Sequence, residues 1–320
     1  MSEDVRQKLI ATIQRIQDLH PNIQPAIDLL RSDMARSPEM EMEDLDSSYW
    51  RLQILSDALV KVRMFIENNF RVIETMGVLS LTRYVFELVV VLKNLRANDK
   101  FAFLYIQKML LQQCEHTEDY AKQIQAEIAF YKARGEDEKS AHDAVMEKYS
   151  KSHSPNMSAR NSKRLGKKII SEMNRASAFV DEELVLKFAL YSDDVAQNGY
   201  AFQAHLIESK VLGSVVERAE LVRSSYERIR AAWKDSVEPF PINFKKWNWK
   251  EMSKFVGMEG EYDFIYSYTS RLLHASPHSL TTDQKNLEDP EVLMFLRYVE
   301  QQIRWMMGYA DEALGRRRIH

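Results

Sequence analysis

Apolar residues recur three and four positions apart along almost the whole chain, the period of helices that bury one face. The pattern predicts helices over 5–30, interrupted at Pro21 and Pro25, and over 49–75, 79–95, 100–132 and 137–149. It resumes over 169–196, 201–235 and 251–256, with Gly135, Gly199 and Gly257 as expected breaks. A helix carrying Tyr262, Tyr266, Ser270 and His274 follows. After a loop from Pro277, a last helix opens at Asp289-Pro290 and runs to about Leu314. No stretch alternates with the period of a strand, and no repeat of fixed length appears. The expected fold is an all-α multi-helix bundle.

Two stretches depart from plain amphipathicity. Residues 79–95 are apolar on nearly every face, which predicts a central, buried helix. Arg83 and Glu87, four apart, share one face of it and are expected to form a structural ion pair that fixes helix register. Residues 148–168 contain Lys148, Lys151, His153, Arg160, Lys163, Arg164, Lys167 and Lys168 and no acid. With Pro155 and many Ser and Asn, this stretch reads as a basic, flexible linker or arm. The chain then divides into an N-terminal helical half, 1–147, the arm, 148–168, and a C-terminal helical half, 169–320, all within one compact unit.

Composition narrows the classes. Only 9 Gly and 8 Pro in 320 residues leave few turns, in keeping with long helices. The formal net charge of -3 means that any nucleic-acid affinity must come from a local patch. Within the arm, Arg160, Lys163, Arg164, Lys167 and Lys168 are the candidate phosphate-tracking residues. The single cysteine, Cys114, excludes an intramolecular disulfide and fits a reducing compartment. The polar N-terminus lacks the apolar core of a signal peptide, and the run Leu88 to Leu92 is too short to span a bilayer. A cytoplasmic protein without membrane association is expected.

Motifs for cofactors are missing: there is no Walker A loop, no G-x-G-x-x-G, no G-x-S-x-G and no H-E-x-x-H. His205 and Glu208 share a helical face, but the chain has no E-x-x-H, so neither a metal nor another cofactor is expected. The stripe Tyr262, Tyr266, Ser270, His274 is the main chemical feature. It is either a buried hydrogen-bond ladder or one wall of a site. Arg271 lies beside it, with His274 and His278 downstream. An Arg that holds phosphate and a His that moves a proton are what metal-free RNA cleavage requires.

Trp247-Asn-Trp249, the following Glu-Met-Ser-Lys-Phe-Val-Gly257, and Tyr262-Asp263-x-x-Tyr266-x-x-x-Ser270-x-x-x-His274-Ala-Ser resemble the C-terminal signature of an uncharacterised bacterial all-helical family, a domain of unknown function. Arg83-Tyr-Val-Phe-Glu87-Leu resembles its N-terminal signature. More loosely, Arg271 and His278, with six residues between them, resemble the motif of the HEPN superfamily. Those proteins are helical bundles, often dimeric, and many are metal-independent ribonucleases of toxin and antiphage systems. That resemblance implies an endoribonuclease that acts on RNA as a homodimer in bacterial defence or toxicity. Arg271 would bind phosphate, His274 or His278 would act as acid or base, and Tyr262, Tyr266 and Ser270 would support them. A non-enzymatic helical interaction module is the alternative.

Overall fold

The structure, a computed structural model, describes residues 3–36, 41–69, 75–150, 158–185, 187–273 and 287–316. Among these every regular element is helical: α1 (Glu3–Met34), α2 (Ser47–Asn69), α3 (Thr75–Ala97), α4 (Phe101–Ser150), α5 (Ala159–Val185), α6 (Ser192–Asn198), α7 (Tyr200–Ile207) and α8 (Gly213–Ala232). Short helical segments follow, α9 (Lys234–Val237), α10 (Ile242–Lys245), α11 (Trp249–Phe255), α12 (Glu259–Glu261) and α13 (Ser267–Leu273), and then α14 (Asp289–Ala313). The fold is an all-α multi-helix bundle.

The chain forms two compact units, Met1–Met109 with Arg228–His320, and Leu110–Glu227. The division therefore does not follow the expected halves on either side of 148–168. The first unit is discontinuous in sequence, and the helices α4 and α8 each run through its boundary.

In the first unit α3 is the central helix, packed against α2, α11, α13 and α14, while α1 packs on α2 and α14. Val85, Phe86, Val89, Val90 and Leu92 of α3 are fully or almost fully buried. By length and composition alone α3 is apolar enough to cross a membrane, but more than half of it is buried in this unit. The last helix, α14, starts with a reciprocal capping box between Glu288 and Glu291, with Pro290 in its first turn. Its buried Val292, Leu296, Val299, Ile303 and Met306 form the apolar stripe that the sequence predicts. Aromatic side chains dock the connection after α8: Trp233 packs on Trp50 and Phe103, and Phe101 meets Phe240, Phe244 and Trp247.

Three expected breaks are absent. α1 runs straight through Pro21 and Pro25. Both prolines are exposed, so the carbonyls of Gln17 and Pro21 that lose their amide partners lie on the hydrated side of the helix. α4 also runs through Gly135 for 50 residues. A Cβ at Gly135 would lie 3.2 Å from the backbone nitrogen of Ala201. The glycine therefore lets α7 approach α4 within the second unit and does not end a helix. Of the basic stretch, residues 151–157 lie outside the described residues, and the rest is helical. Lys148 and Tyr149 finish α4, residues 160–168 form the first turns of α5, and Glu172 of α5 bonds both Lys148, at 2.8 Å, and the Tyr149 hydroxyl.

Candidate functional site

The stripe helix is built from three pieces. The short α12 leads into a π-helical turn, Tyr262–Tyr266, which passes into α13. A π turn widens the helix by one residue and re-aims the side chains beyond it. Ser267 Oγ reaches back to the Tyr262 carbonyl at 3.4 Å across this wider turn. Ile265 and Thr269 are buried, and the Thr269 hydroxyl donates to the Ile265 carbonyl at 2.8 Å. Tyr268 turns toward α14, where its hydroxyl donates to Glu291 at 2.7 Å. These anchors leave Tyr262, Tyr266 and Ser270 on the face that meets α3.

There the stripe joins the two charged residues of α3. The Arg83 Nε donates to Glu87 Oε1 at 3.1 Å, its Nη2 to the Tyr266 hydroxyl at 3.2 Å, and its Nη1 to Ser270 Oγ at 3.4 Å. The guanidinium carbon also lies 4.7 Å from the centre of the Tyr266 ring, so the ring face adds to its hold. Tyr262 and Tyr266 stack with ring centres 4.9 Å apart and planes 15° apart, and both rings lean on Phe86. The side chains of Arg83 and Glu87 keep 23% and 25% of their surface exposed, so the cluster is desolvated but reaches water.

This half-buried setting shapes the proton chemistry. Burial pushes the Glu87 carboxyl above its usual range, although the hydrogen bond and charge of Arg83 pull the other way. Burial also raises the Tyr266 phenol. Tyr84, next to Arg83 in sequence, is raised by burial and then by the charge of Glu87. A carboxyl that releases its proton nearer neutrality beside a fixed guanidinium can both accept a proton and face an anion.

The structure thus joins Arg83 and Glu87 to Tyr262, Tyr266 and Ser270, residues that the sequence assigns to two separate features. Four-residue spacing marks each feature separately, but it does not pair one with the other. Arg271 does not share this face. It follows Ser270 by one residue, a rotation of about 100° on a helix, and is exposed. His274 and His278 lie outside the described residues. Arg160, Lys163, Arg164, Lys167 and Lys168 are all exposed and fall on one face of the first turns of α5. Among the described residues no three His, Cys, Asp or Glu side chains are grouped as a metal site requires.

No curated protein and no solved structure matches this chain. Residues 55–291 match a family of unknown function, DUF5677, and this span takes in the α3 pair, the basic face of α5 and the stripe. With most of its length inside that match, the chain belongs to the DUF5677 family.

Proposed function

We propose that this protein is a metal-independent endoribonuclease whose site is the Arg83, Glu87, Tyr262, Tyr266 and Ser270 cluster. The observation that carries this reading is a guanidinium held by a carboxyl whose pKa is raised by burial, with a phenol and a hydroxyl on the same wall. Metal-free cleavage of RNA needs a base for the 2′-hydroxyl proton and a cation for the charge that develops on phosphorus. Glu87 fits the first role and Arg83 the second. Guanidinium has five donors, of which the protein engages three here, so phosphate oxygens have N–H groups to accept from. The exposed basic face of α5 supports a polyanionic substrate. In this reading the chain acts as a cytoplasmic homodimer in bacterial defence or toxicity, with RNA as its partner.

One observation favours a second reading, a helical interaction module. Arg83 already bonds Glu87, Tyr266 and Ser270, and such a lock could exist only to join α3 to the stripe helix. The two separate by paired assays. The enzyme cleaves RNA in EDTA, and Glu87→Gln and Arg83→Lys lose cleavage while they stay folded. Because each cation-to-phosphate contact contributes roughly 0.7 to the salt slope on single strands, replacing the five α5 cations by Ser flattens that slope. A folded parent that neither binds nor cleaves RNA overturns the proposal and leaves the module.

A further inference from the structure

A cavity lies at the other end of α3 from the Arg83 cluster, where α3 meets the last turns of α14. It measures about 610 Å³ and is lined by Arg96, Arg304, Trp305, Tyr309, Glu312 and Arg316, with Gly308 and Gly315 contributing no side chain. We infer that this cavity binds a mononucleotide, with the phosphate on its arginines and the base against its aromatic wall. This inference does not rest on the ribonuclease reading. Arg96 lies 13 residues beyond Arg83 on α3, about 20 Å along the helix axis.

Three features of the cavity point to that class. The first is charge: three arginines face one carboxylate. Arg96 forms a two-pronged pair with Glu312, Nε at 3.1 Å and Nη2 at 2.8 Å, and Arg304 holds Glu300 at 3.0 Å. These pairs fix the planes of the two guanidiniums at the wall. The pair with Glu312 takes the Nε/Nη2 edge of Arg96, which leaves the protons of Nη1 and the second proton of Nη2 to bind a phosphate.

The second feature is an aromatic face, the partly exposed Trp305 ring backed by the buried Tyr309. Trp305 and Tyr309, one helical turn apart, have ring centres 5.7 Å apart and planes 19° apart. Lys93 Nζ sits 5.6 Å from the indole centre, so the ring already holds a cation, and that cation adds positive charge near the cavity. Aromatic rings beside fixed cations are the combination that takes a nucleobase with its phosphate.

The third feature is a vacancy in the hydrogen bonding. Tyr309 is only 4% exposed, and its hydroxyl has no hydrogen-bond partner among the described residues. Burial pushes this phenol up to about 12, so it stays a neutral donor at any physiological pH. A buried hydroxyl without a partner is costly, and Tyr309 lines this cavity, so a ligand oxygen seated deeply enough to reach the hydroxyl would satisfy it.

Calorimetric titration of the full chain with AMP, GMP, CMP and UMP tests this, with the four nucleosides and inorganic phosphate as separate arms. At least one monophosphate is expected to bind about tenfold or more tightly than its nucleoside or phosphate alone. Tyr309→Phe removes an unpartnered hydroxyl, so it should melt at or above the parent temperature, yet weaken binding about tenfold. Arg316→Ala, at an exposed position, should also weaken it without loss of stability. Phosphate that binds as well as every monophosphate, no binding by the folded parent, or binding unchanged in both variants would overturn the inference.

Discussion

The two units each place a carboxylate and a phenol one helical turn or one contact apart, with opposite exposure. In the first unit, Glu87 meets Arg83 and, through it, Tyr266 and Ser270, with about a quarter of the ion pair's surface in water. In the second unit, Glu127 is 3% exposed and takes the Tyr131 hydroxyl at 2.6 Å and the Tyr191 amide at 2.8 Å. Tyr131 is fully buried among Ile124, Ile128, Tyr200 and Ile207. Its phenol is driven far above its ordinary range, by burial first and by Glu127 second. The same residue types therefore do different work. Sealed from solvent, and with no ion pair to Glu127 among the described residues, the Glu127 cluster joins α4 to the chain around Tyr191. Open to solvent and held by a guanidinium, the Arg83 cluster can also meet a ligand.

The largest expected effect tests the sealed side. Glu127→Ala leaves the buried Tyr131 hydroxyl and the part-buried Tyr191 amide without their acceptor, and it should cost about 3 kcal/mol or more in chemical denaturation. A near-neutral result would mean that this cluster is as open as the other, and the comparison would fail.

On the open side, Glu87→Ala strands a guanidinium that still reaches water. Its cost should be smaller, about 1–2 kcal/mol, because solvent screens what the carboxylate leaves behind. A loss as large as that of Glu127→Ala would identify Arg83 and Glu87 as a buried structural pair. Smaller again is Tyr266→Phe, which removes one acceptor from Arg83 and keeps the ring beneath it. Stability should fall by no more than about 1 kcal/mol, while RNA cleavage drops measurably if the cluster is the site. Equal cleavage by the variant and the parent would confine the phenol to packing.

The finest test is pH. The Glu87 carboxyl is raised in the fold, chiefly by burial, so it favours the folded state in its protonated form. Its contribution is complete below the unfolded pKa, about 4.3, and is lost as pH rises through the higher folded value. Relative to Glu87→Gln, the parent should therefore lose stability as pH rises through this window. Glu300 gives the opposite sign. Burial pushes it up, but the hydrogen bonds and charges of Arg15 and Arg304 together outweigh burial and hold it below the ordinary range. Its contribution is present above the unfolded pKa and fades as pH falls through the folded one. Melting curves of Glu87→Gln and Glu300→Gln across pH 3 to 7 should then diverge from the parent in opposite directions; parallel curves would remove the distinction.

Much of this molecule was legible from pattern alone. The apolar period identified the helices, Asp289-Pro290 marked the start of α14, and Gly257 closed α11 at a positive φ of 71°. Tyr262, Tyr266, Ser270, Arg83 and Glu87 all stood out as polar residues in apolar settings. What the pattern misread were breaks. Proline and glycine end helices by local rules, but Pro21 and Pro25 face water, and Gly135 serves contact with Ala201, so α1 and α4 continue. Polar composition makes the basic stretch read as an arm; on its described flanks Glu172 of α5 bonds Lys148 and Tyr149 at the end of α4.

The sequence by itself determined the helical class and marked the polar residues set in apolar helices, because helix period, capping and burial preference act within a few residues of one another. Only the tertiary structure decided which of those residues meet. Arg83 and Ser270 are 187 positions apart, and nothing in the spacing of either motif encodes their contact. The same holds for the π turn that aims Tyr266 at α3, for the boundaries of the two units, and for the cavity between Arg96 and α14. Each depends on how one helix packs on another, which is set by the fit of whole surfaces and not by the local order of residues.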